Sequence, residues 1–362
     1  MIGVLHPREW WPDGEAFGAA VAAIEAIDSR LEVVVEPYEE GQHLRTLRGT
    51  EEGLVEARKL APPLTAPQQA MFARVHGLLA VDLPFDVARV APQLSWVQCI
   101  GAGCAHLASA GLDEAGVRLT NAAGVNAVAI AEFVVGRILE EREGFRALLE
   151  RQRAHHWDPI YTAQLAGTTI GLLGLGAINT AVARRLAAFD VTVLASRRSA
   201  RSGDTAPNVA ELIPADRLLE MLARCDTVVA AVPETLETIG LMNAGAFAAM
   251  PRGSFFVNVG RGTLVDEPAL VAALVDGQLR GAALDVASIE PLPGDHPLWE
   301  APNLSLSYHC SADPAAHFPN LYRLWRDNVR RWLACEELLQ EVSAPAGSSP
   351  FGPVRRVVVV ED

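Results

Sequence analysis

Residues 168–179 read Thr-Thr-Ile-Gly-Leu-Leu-Gly-Leu-Gly-Ala-Ile-Asn, and this stretch decides the fold. β-Branched and apolar residues lead into Gly174 and Gly176, and a helical pattern follows at once. Between 178 and 189, apolar residues recur at spacings of four, four and three, which places them on one helix face. A second apolar run occupies 191–195. The order strand, glycine turn, helix, strand is the context in which such a turn is typical of dinucleotide binding.

The two glycines serve different purposes in this interpretation. Gly174 lets the chain turn tightly, whereas Gly176 lets backbone N–H groups approach a pyrophosphate at the positive end of the helix. Ala177 and Ile178 form the first turn of that helix and belong to the predicted cofactor site. The third glycine of the usual fingerprint is replaced by Asn179, which weakens the argument from close helix–strand packing but leaves the two phosphate-facing glycines intact.

The residue that holds the adenosine ribose is expected about 20 positions after the turn. The sequence there reads Ser196-Arg197-Arg198 and contains no acid. A carboxylate accepts from a free 2′-hydroxyl and repels a 2′-phosphate, whereas arginine donates two hydrogen bonds to a phosphate. NADP(H) is therefore favoured as the cofactor over NAD(H). The alternative is that both arginines simply face water, which keeps NAD(H) open.

Composition restricts the class of protein. A chain of 362 residues is long enough for two domains, and its formal charge of −14 argues against nucleic-acid binding. No apolar run is long enough to span a bilayer, and the N-terminus lacks the basic region and cleavage site of an export signal. The five cysteines form no C-x-x-C pair. A reduced, cytoplasmic protein without a membrane partner is the expectation.

Strands and helices alternate on both sides of the glycine turn. Up to about residue 124 they predict a small parallel α/β domain, in which Gly101-Ala102-Gly103 follows a strand at 96–100. Such strand ends bind ligands in open α/β sheets, although a simple turn is the alternative. A long helix, continuing through Glu150, is predicted to link this domain to the next.

Charged or polar residues close the later strands of the second half. Arg261 follows one strand, Asp285 and Glu290 close another, and His309 follows the last. Because the carboxyl ends of parallel strands line one crevice, these side chains are expected to lie beside the cofactor. No set of His, Cys, Asp or Glu at ligand spacing indicates a metal site, so none is predicted.

These residue types fit the reduction of a 2-oxo acid. An arginine holds the carboxylate and polarises the neighbouring carbonyl, which suits Arg261. A histidine poised near neutral pH delivers a proton to the carbonyl oxygen as hydride arrives, which suits His309, and the carboxylate of Glu290 would favour its protonated form. Each has an ordinary alternative when taken singly: a phosphate clamp or ion pair, a helix-start carboxylate, and a strand-end histidine.

Three motifs carry a resemblance to a known family. Residues 258–262, 284–293 and 307–309 resemble the signatures of the D-isomer-specific 2-hydroxyacid dehydrogenases. Further blocks at 121–132 and 233–238 are similar to that family, so the resemblance runs from about Leu94 to His309. Its motif set is far more specific than the glycine turn alone.

The resemblance implies two Rossmann-like or flavodoxin-like parallel-sheet domains with the active site in the cleft between them. Their implied limits are 1–124 for the substrate-binding domain, completed by 312–342, then 125–311 for the dinucleotide-binding domain and 343–362 for a tail. Arg261 becomes the substrate-binding arginine, Glu290 the partner carboxylate and His309 the acid/base. The implied cofactor contacts add Asp285 near the nicotinamide together with Val232, Pro233, Thr238, Val259 and Gly260, and the implied contacts of the substrate carboxylate are Gly101, Ala102 and Gly103.

The family usually forms homodimers through the arm around residues 127–165, so a homodimer is expected. The Ser196-Arg197-Arg198 turn resembles the glyoxylate and hydroxypyruvate reductase branch, which implies an NADPH-dependent reductase acting on a small 2-oxo acid. Tyr308, where the family usually has proline, departs from the pattern. Two alternatives stay open: a dinucleotide-sensing regulator like the corepressors of the family, and an NAD-linked enzyme of the phosphoglycerate dehydrogenase type.

Overall fold

The computed structural model describes residues 1–11, 13–49, 51–201 and 203–342. They divide into two compact units. The first unit contains Met1–Val125 and the C-terminal residues from Pro314 onward, and the second unit contains Asn126–Asp313. The tail predicted at 343–362 lies outside the described residues.

A five-stranded parallel sheet forms the centre of the first unit. Its order is β2-β1-β3-β4-β5, with β1 (Ile2–Val4), β2 (Val33–Val35), β3 (Gly77–Ala80), β4 (Trp96–Cys99) and β5 (Arg118–Thr120). The helices of this part of the chain are α1 (Gly14–Glu25), α2 (Gln42–Arg48), α3 (Leu54–Leu60), α4 (Ala66–Phe72) and α5 (Val87–Val90). Apolar side chains cover both faces of the sheet, because every strand of a parallel sheet is packed on two sides.

The C-terminal helix returns to this first sheet. It is α12 (Pro314–Leu333), and the buried side chains Leu321, Tyr322, Trp325 and Val329 follow helical spacing along one face. They pack in the same cluster as Ile2 and other residues of the first unit. The C-terminal part of the chain thereby completes the core of the N-terminal sheet.

A seven-stranded parallel sheet forms the second unit, in the order β12-β11-β10-β9-β6-β7-β8. The strands are β6 (Thr169–Leu173), β7 (Thr192–Arg197), β8 (Glu211–Pro214), β9 (Thr227–Ala230), β10 (Ser254–Asn258), β11 (Leu279–Leu284) and β12 (Leu304–Leu306). The helices are α6 (Ala127–Arg142), α7 (Phe145–Arg153), α8 (Ala177–Leu186), α9 (Leu218–Leu222), α10 (Ala244–Ala249) and α11 (Glu267–Val275). Two parallel-sheet α/β units confirm the predicted fold class.

The strand order reverses at β6, which has β7 on one side and β9 on the other. Leu173 at its end pairs in register with Ser196 and with Ala230. Such a reversal opens a crevice at the carboxyl ends of the strands, where open α/β sheets bind their ligands. The glycine turn, which follows Leu173, starts in this crevice.

The prediction of one long helix through Glu150 is wrong. The chain forms α6 and α7 instead, and the break lies at Gly144, whose φ is +63°. Glycine reaches this left-handed conformation without the steric cost that a Cβ imposes. The apolar and charged periodicity continues on both sides of the break, which is why the sequence read as a single helix.

Candidate active site and dinucleotide turn

Gly174 leaves β6 in a conformation that other residues rarely adopt. Its φ is +82°, and an added Cβ would lie 2.5 Å from Cγ1 of Val232 and 3.2 Å from the backbone oxygen of Ala231. Its N–H donates to the carbonyl of Ser196 at 2.9 Å. The turn therefore requires glycine both for its backbone angles and for the closeness of the chain that follows β9.

Gly176 differs from Gly174 in its surroundings. It is the N-terminal cap of α8 with extended backbone, and an added Cβ would meet no atom within 4 Å among the described residues. Nor does a side chain from the described part of the chain cap this helix. The N–H groups of the first turn, which begins with Ala177 and Ile178, thus border open space at the positive end of the helix, and this geometry fits a pyrophosphate.

Asn179, at the third position of the fingerprint, is tied to the glycine turn by hydrogen bonds. Its side chain is fully buried, and its Nδ2 donates to the carbonyls of Leu173 at 3.1 Å, Gly174 at 2.6 Å and Val229 at 3.4 Å. A glycine would offer the helix a closer approach to the strand, whereas this amide holds α8 to the ends of β6 and β9 through hydrogen bonds. The substitution replaces one means of fixing the turn by another.

The Ser196-Arg197-Arg198 segment ends β7, beside the glycine turn. Ser196 is buried, Arg197 is half-buried and Arg198 is exposed. The Nε of Arg197 is buried and finds no hydrogen-bond partner in the part of the chain that the structure describes. An unsatisfied buried donor on a cationic side chain is costly unless an anion binds to it, so this position fits the adenosine end of a dinucleotide that carries a 2′-phosphate.

The loops after β9 and β10 lie against each other. Val259 is buried, and an added Cβ on Gly260 would lie 2.9 Å from the carbonyl oxygen of Val232. The hydroxyl of Thr238 donates to the carbonyl of Pro233 at 2.8 Å. The side chain of Thr238 thus stabilises the turn after β9, and the two loops form one wall of the crevice.

Arg261 follows β10 and is held through its backbone. The fully buried Asn258 accepts from the N–H of Gly260 at 3.0 Å and donates to the carbonyl of Arg261 at 2.9 Å. The guanidinium is half-buried and donates to the carbonyl of Gly260 at 2.7 Å. No described carboxylate forms an ion pair with it. A fixed backbone with an uncompensated cation suits the binding of an anionic substrate.

His309 and Glu290 form a hydrogen-bonded pair. Nδ1 of His309 lies 2.8 Å from Oε2 of Glu290, whose Oε1 accepts from the N–H of Ala287 at 3.0 Å. The two side chains are 57% and 38% exposed. Nε2 of His309 has no partner among the described residues, so this nitrogen is the one available to a bound molecule.

Asp285 closes β11 and is buried, with both carboxylate oxygens engaged by protein groups. The donors are the hydroxyl of Ser307, the backbone N–H of Cys310, and the N–H and hydroxyl of Ser311. Sequence reasoning missed the two serines and Asn258. The two serines could have been noticed in the sequence, because Ser307 and Ser311 flank His309 symmetrically, each two positions away.

The comparison with known proteins decides the family. Residues 135–311 match the family described as D-isomer specific 2-hydroxyacid dehydrogenase, NAD binding domain. A glyoxylate reductase from Thermofilum pendens (strain DSM 2475 / Hrk 5) is 36% identical over 243 residues, which is 65% of this chain and 70% of that protein. The chain belongs to the D-isomer specific 2-hydroxyacid dehydrogenase family.

Solved structures agree with this 2-hydroxyacid dehydrogenase over nearly its whole length. A D-isomer specific 2-hydroxyacid dehydrogenase from Xanthobacter autotrophicus Py2, in complex with NADPH and MES, is 27% identical with a TM-score of 0.73, covering 94% of this chain and 98% of that one. An NADPH-dependent glyoxylate/hydroxypyruvate reductase from Sinorhizobium meliloti is 24% identical with a TM-score of 0.71, covering 94% and 98%, and shows the shared fold. The protein is an NAD(P)-dependent oxidoreductase that interconverts 2-oxo acids and D-2-hydroxy acids by hydride transfer.

The remaining predicted substrate contacts of the dehydrogenase lie in the first unit. Gly101, Ala102 and Gly103 follow β4, where Asn121 Nδ2 donates to the carbonyl of Ala102 at 3.0 Å and the N–H of Ala122 donates to the carbonyl of Gly101 at 3.0 Å. These bonds use the carbonyl groups of the turn. Its role in binding a substrate carboxylate stays a prediction.

Two kinds of site are absent from the described residues of the dehydrogenase. These residues contain no group of three or more His, Cys, Asp or Glu side chains placed to hold a metal ion. Nor do they include a helix long and apolar enough to cross a membrane.

Proposed function

We propose that this dehydrogenase is an NADPH-dependent reductase of small 2-oxo acids such as glyoxylate and hydroxypyruvate, and that Arg261, Glu290 and His309 carry the reaction. The observation that carries the proposal is the 2.8 Å contact between Nδ1 of His309 and Oε2 of Glu290, which leaves Nε2 of the same ring available. The similarity to a glyoxylate reductase supports the substrate class and favours an enzyme over a regulator that only senses the dinucleotide.

Arg261 binds the substrate in this proposal. Its guanidinium has no described carboxylate as a partner, and its planar donors match the carboxylate of a 2-oxo acid and the adjacent carbonyl oxygen. Attraction of the carbonyl oxygen to a fixed cation stabilises the negative charge that develops there during reduction. The buried Asn258 fixes the backbone from which this side chain extends.

His309 supplies the proton. A bound nicotinamide would supply the hydride. The ring of His309 donates a proton from Nε2 to the carbonyl oxygen of the substrate. Glu290 holds Nδ1 of the ring, which fixes its orientation and stabilises the imidazolium. Glu290 is itself held by the N–H of Ala287, so the pair has a defined direction before substrate binds.

Arg197 and Arg198 select NADPH. The buried Nε of Arg197 lacks a partner within the described residues, and Arg198 is exposed beside it. A 2′-phosphate satisfies both cations, whereas the 2′-hydroxyl of NADH satisfies neither charge. The NADPH complex of the Xanthobacter relative supports the same choice.

The protein acts as a cytoplasmic homodimer in this proposal. Phe145, Leu148 and Leu149 on α7 are exposed, and beyond them Trp157 is 100% and Tyr161 is 91% exposed. This apolar arm fits burial against a second copy of the chain. All five cysteines are free, which agrees with a reducing compartment. Light scattering should give a molecular mass of twice 38.7 kDa for the native protein.

A matched pair of variants tests the dimer. Leu149→Asp should yield a monomer, whereas Val275→Asp, at an exposed apolar position on α11 outside the arm, should remain dimeric. A monomeric native protein would contradict the proposed assembly.

Steady-state rates test the proposed activity. Absorbance of the reduced nicotinamide is followed with glyoxylate, hydroxypyruvate and pyruvate, separately with NADPH and with NADH. The proposal predicts oxidation of NADPH with a kcat/KM at least about tenfold above that for NADH. A tenfold ratio corresponds to about 1.4 kcal/mol, which is the contribution expected of one charge-assisted contact. A preference for NADH would overturn the cofactor choice, and no oxidation with any 2-oxo acid would overturn the substrate class.

A further inference from the structure

The loop that carries Glu290 is held by a buried carboxylate of the neighbouring helix. We infer that Glu267, the first residue of α11, is a positioning residue that fixes this loop so that the carboxylate of Glu290 meets the ring of His309. The inference rests on the proposed function, in which Glu290 holds the ring that supplies the proton.

Glu267 is buried although its side chain is acidic. Only 7% of its surface is exposed, and it follows Asp266, whose carboxylate caps the helix by accepting from the N–H of Ala269 at 3.0 Å. Asp266 thus serves the helix end, and the carboxylate of Glu267 binds groups outside α11. A buried charge is unfavourable unless hydrogen-bond donors surround it, so the donors around Glu267 identify what it holds in place.

Both oxygens of Glu267 accept from Ser288, two residues before Glu290. Oε1 accepts from the N–H of Ser288 and Oε2 from its hydroxyl, both at 2.8 Å. The preceding N–H, that of Ala287, donates to Oε1 of Glu290 at 3.0 Å. Two successive N–H groups therefore bind two different carboxylates, one on α11 and the other in contact with His309. Because Ser288 is exposed, its hydrogen bonds rather than burial fix its place.

The far end of the same loop also faces Glu267. Nε2 of His296 lies 3.5 Å from Oε2 of Glu267. Nδ1 of the same ring accepts from the N–H of Leu298 at 3.3 Å, which places the proton of the neutral ring on Nε2, the nitrogen that faces the carboxylate. One side chain of α11 thereby meets residues on both sides of Glu290.

The loop after β10 packs against the same peptide. An added Cβ on Gly262, the residue after Arg261, would lie 1.9 Å from the carbonyl carbon of Ala287 and 2.3 Å from the nitrogen of Ser288. The peptide between Ala287 and Ser288 is therefore fixed by close packing together with its hydrogen bonds to Glu267. The contact between Ala287 and Glu290 starts from this fixed point.

Removal of the carboxylate should slow the reaction without weakening cofactor binding. In Glu267→Ala, we expect kcat for reduction of the 2-oxo acid to fall roughly 10- to 100-fold because small misplacements of a reacting group are costly, whereas the Kd for NADPH should stay within about twofold. Glu267→Gln should recover most of this loss, since its amide oxygen still accepts from the N–H of Ser288. Ser288→Ala, at an exposed position, should lower kcat roughly 3- to 10-fold.

A double-mutant cycle separates positioning from a general loss of structure. Because Glu267 acts through Glu290, Glu267→Ala should lower kcat by no more than about threefold when Glu290→Gln is already present. Asp226→Ala is the matched control. Asp226 is half-buried, and its carboxylate likewise accepts from a backbone N–H, that of Thr169 at 2.8 Å, but it lies at the amino ends of β6 and β9. Its loss should leave kcat unchanged.

Three outcomes would overturn the inference. One is an unchanged kcat in Glu267→Ala, or in Ser288→Ala should Glu267→Ala fail to fold. Another is a cycle in which Glu267→Ala lowers kcat by the same factor with and without Glu290→Gln, which is the behaviour of a residue that supports the fold at large. The third is a Glu267→Gln variant as slow as Glu267→Ala, which would show that the charge matters rather than the position.

Hydrogen exchange tests the positioning without turnover. In cofactor-free protein, the amides of segment 286–290 should exchange at least about tenfold faster in Glu267→Ala than in the native protein, because the N–H of Ser288 loses its acceptor and the loop is released. Asp226→Ala should leave this segment unchanged. A native protein that reduces no 2-oxo acid but shows this difference in exchange would refute the proposed function alone. An active reductase whose segment exchanges at the same rate with and without Glu267 would refute the positioning alone.

Discussion

Nδ1 of His309 and Oε2 of Glu290 lie 2.8 Å apart, while the other oxygen of the same carboxylate accepts from the N–H of Ala287. One carboxylate thus holds the ring with one oxygen and is anchored to the backbone with the other. The free nitrogen of the ring is Nε2, on the far side from Glu290. This relationship gives the histidine a defined direction even though 57% of its side chain is exposed.

Removal of the charge on Glu290 should affect the proton rather than the cofactor. Glu290→Gln keeps an oxygen for the N–H of Ala287 but removes the charge that stabilises the protonated ring, so kcat for reduction should fall roughly 100-fold or more. The Kd for NADPH should stay within about twofold, because the change is expected to act on the proton. Steady-state rates and nucleotide titration measure the two effects. An unchanged kcat would show that Glu290 does not act on the proton.

Charge at the end of β7 should decide between the two cofactors. Arg197→Ala with Arg198→Ala should raise the KM for NADPH by roughly 10- to 100-fold, because the 2′-phosphate loses its charged donors, and should change that for NADH by no more than about twofold. Arg217→Ala is the control, since Arg217 is exposed and paired with Glu220. Equal losses for both cofactors would refute the phosphate contact.

Asn179 should stabilise the folded protein more than the glycine that the usual fingerprint has at this position. Asn179→Gly deletes the hydrogen bonds from Nδ2 to three carbonyls, so the free energy of unfolding should fall by about 1–3 kcal/mol. The affinity for NADPH should fall as well, because the amide fixes the glycine turn. Chemical denaturation and nucleotide titration measure the two effects. A variant as stable as the native protein would mean that the usual glycine serves equally well here.

Acid should destabilise the first unit. Burial lowers the pKa of His6, His106 and His317 below 6.5, all of them in this unit. Because their folded-state pKa values are depressed, the stability that these residues contribute is present above pH 6.5 and is lost as the pH falls through their folded-state values. His6 is fully buried, with Nδ1 donating to the carbonyl of Pro7 at 2.9 Å.

The measurement is the free energy of unfolding between pH 7.5 and 5. It should decrease below pH 6.5, and His6→Gln should make the decrease shallower because one titrating group is removed. His43→Gln serves as the control at an exposed position. Equal slopes in the native protein and in His6→Gln would contradict the assignment to His6.

Much of the fold could be predicted from the sequence because its signals are local. The run of residues 168–179 specifies strand, turn and helix in consecutive positions, and apolar runs mark the buried strands of a parallel sheet. Strand β8 was missed because Glu211–Pro214 is short and ends in proline. The break at Gly144 was missed because helical periodicity continues across it.

The site was harder to predict because its support is distant in sequence. Arg261, Glu290 and His309 follow strand ends, and strand ends of a parallel sheet gather at one edge whatever their separation along the chain. The hydrogen bonds from Ser307 and Ser311 to Asp285 depend instead on how a loop folds back over β11. No periodicity in the sequence indicates such a contact. For the same reason the hydrogen bonds of Asn179 became visible only in the structure.

The most direct test of the account is a single-turnover measurement. Enzyme loaded with one equivalent of NADPH is mixed with glyoxylate or hydroxypyruvate, and absorbance of the reduced nicotinamide is followed in the native protein and in His309→Ala. The account predicts complete decay in the native protein, and in the variant undiminished NADPH binding with decay at least about 100-fold slower. Equal decay rates in the two proteins, or no decay in the native protein with any 2-oxo acid, would contradict it.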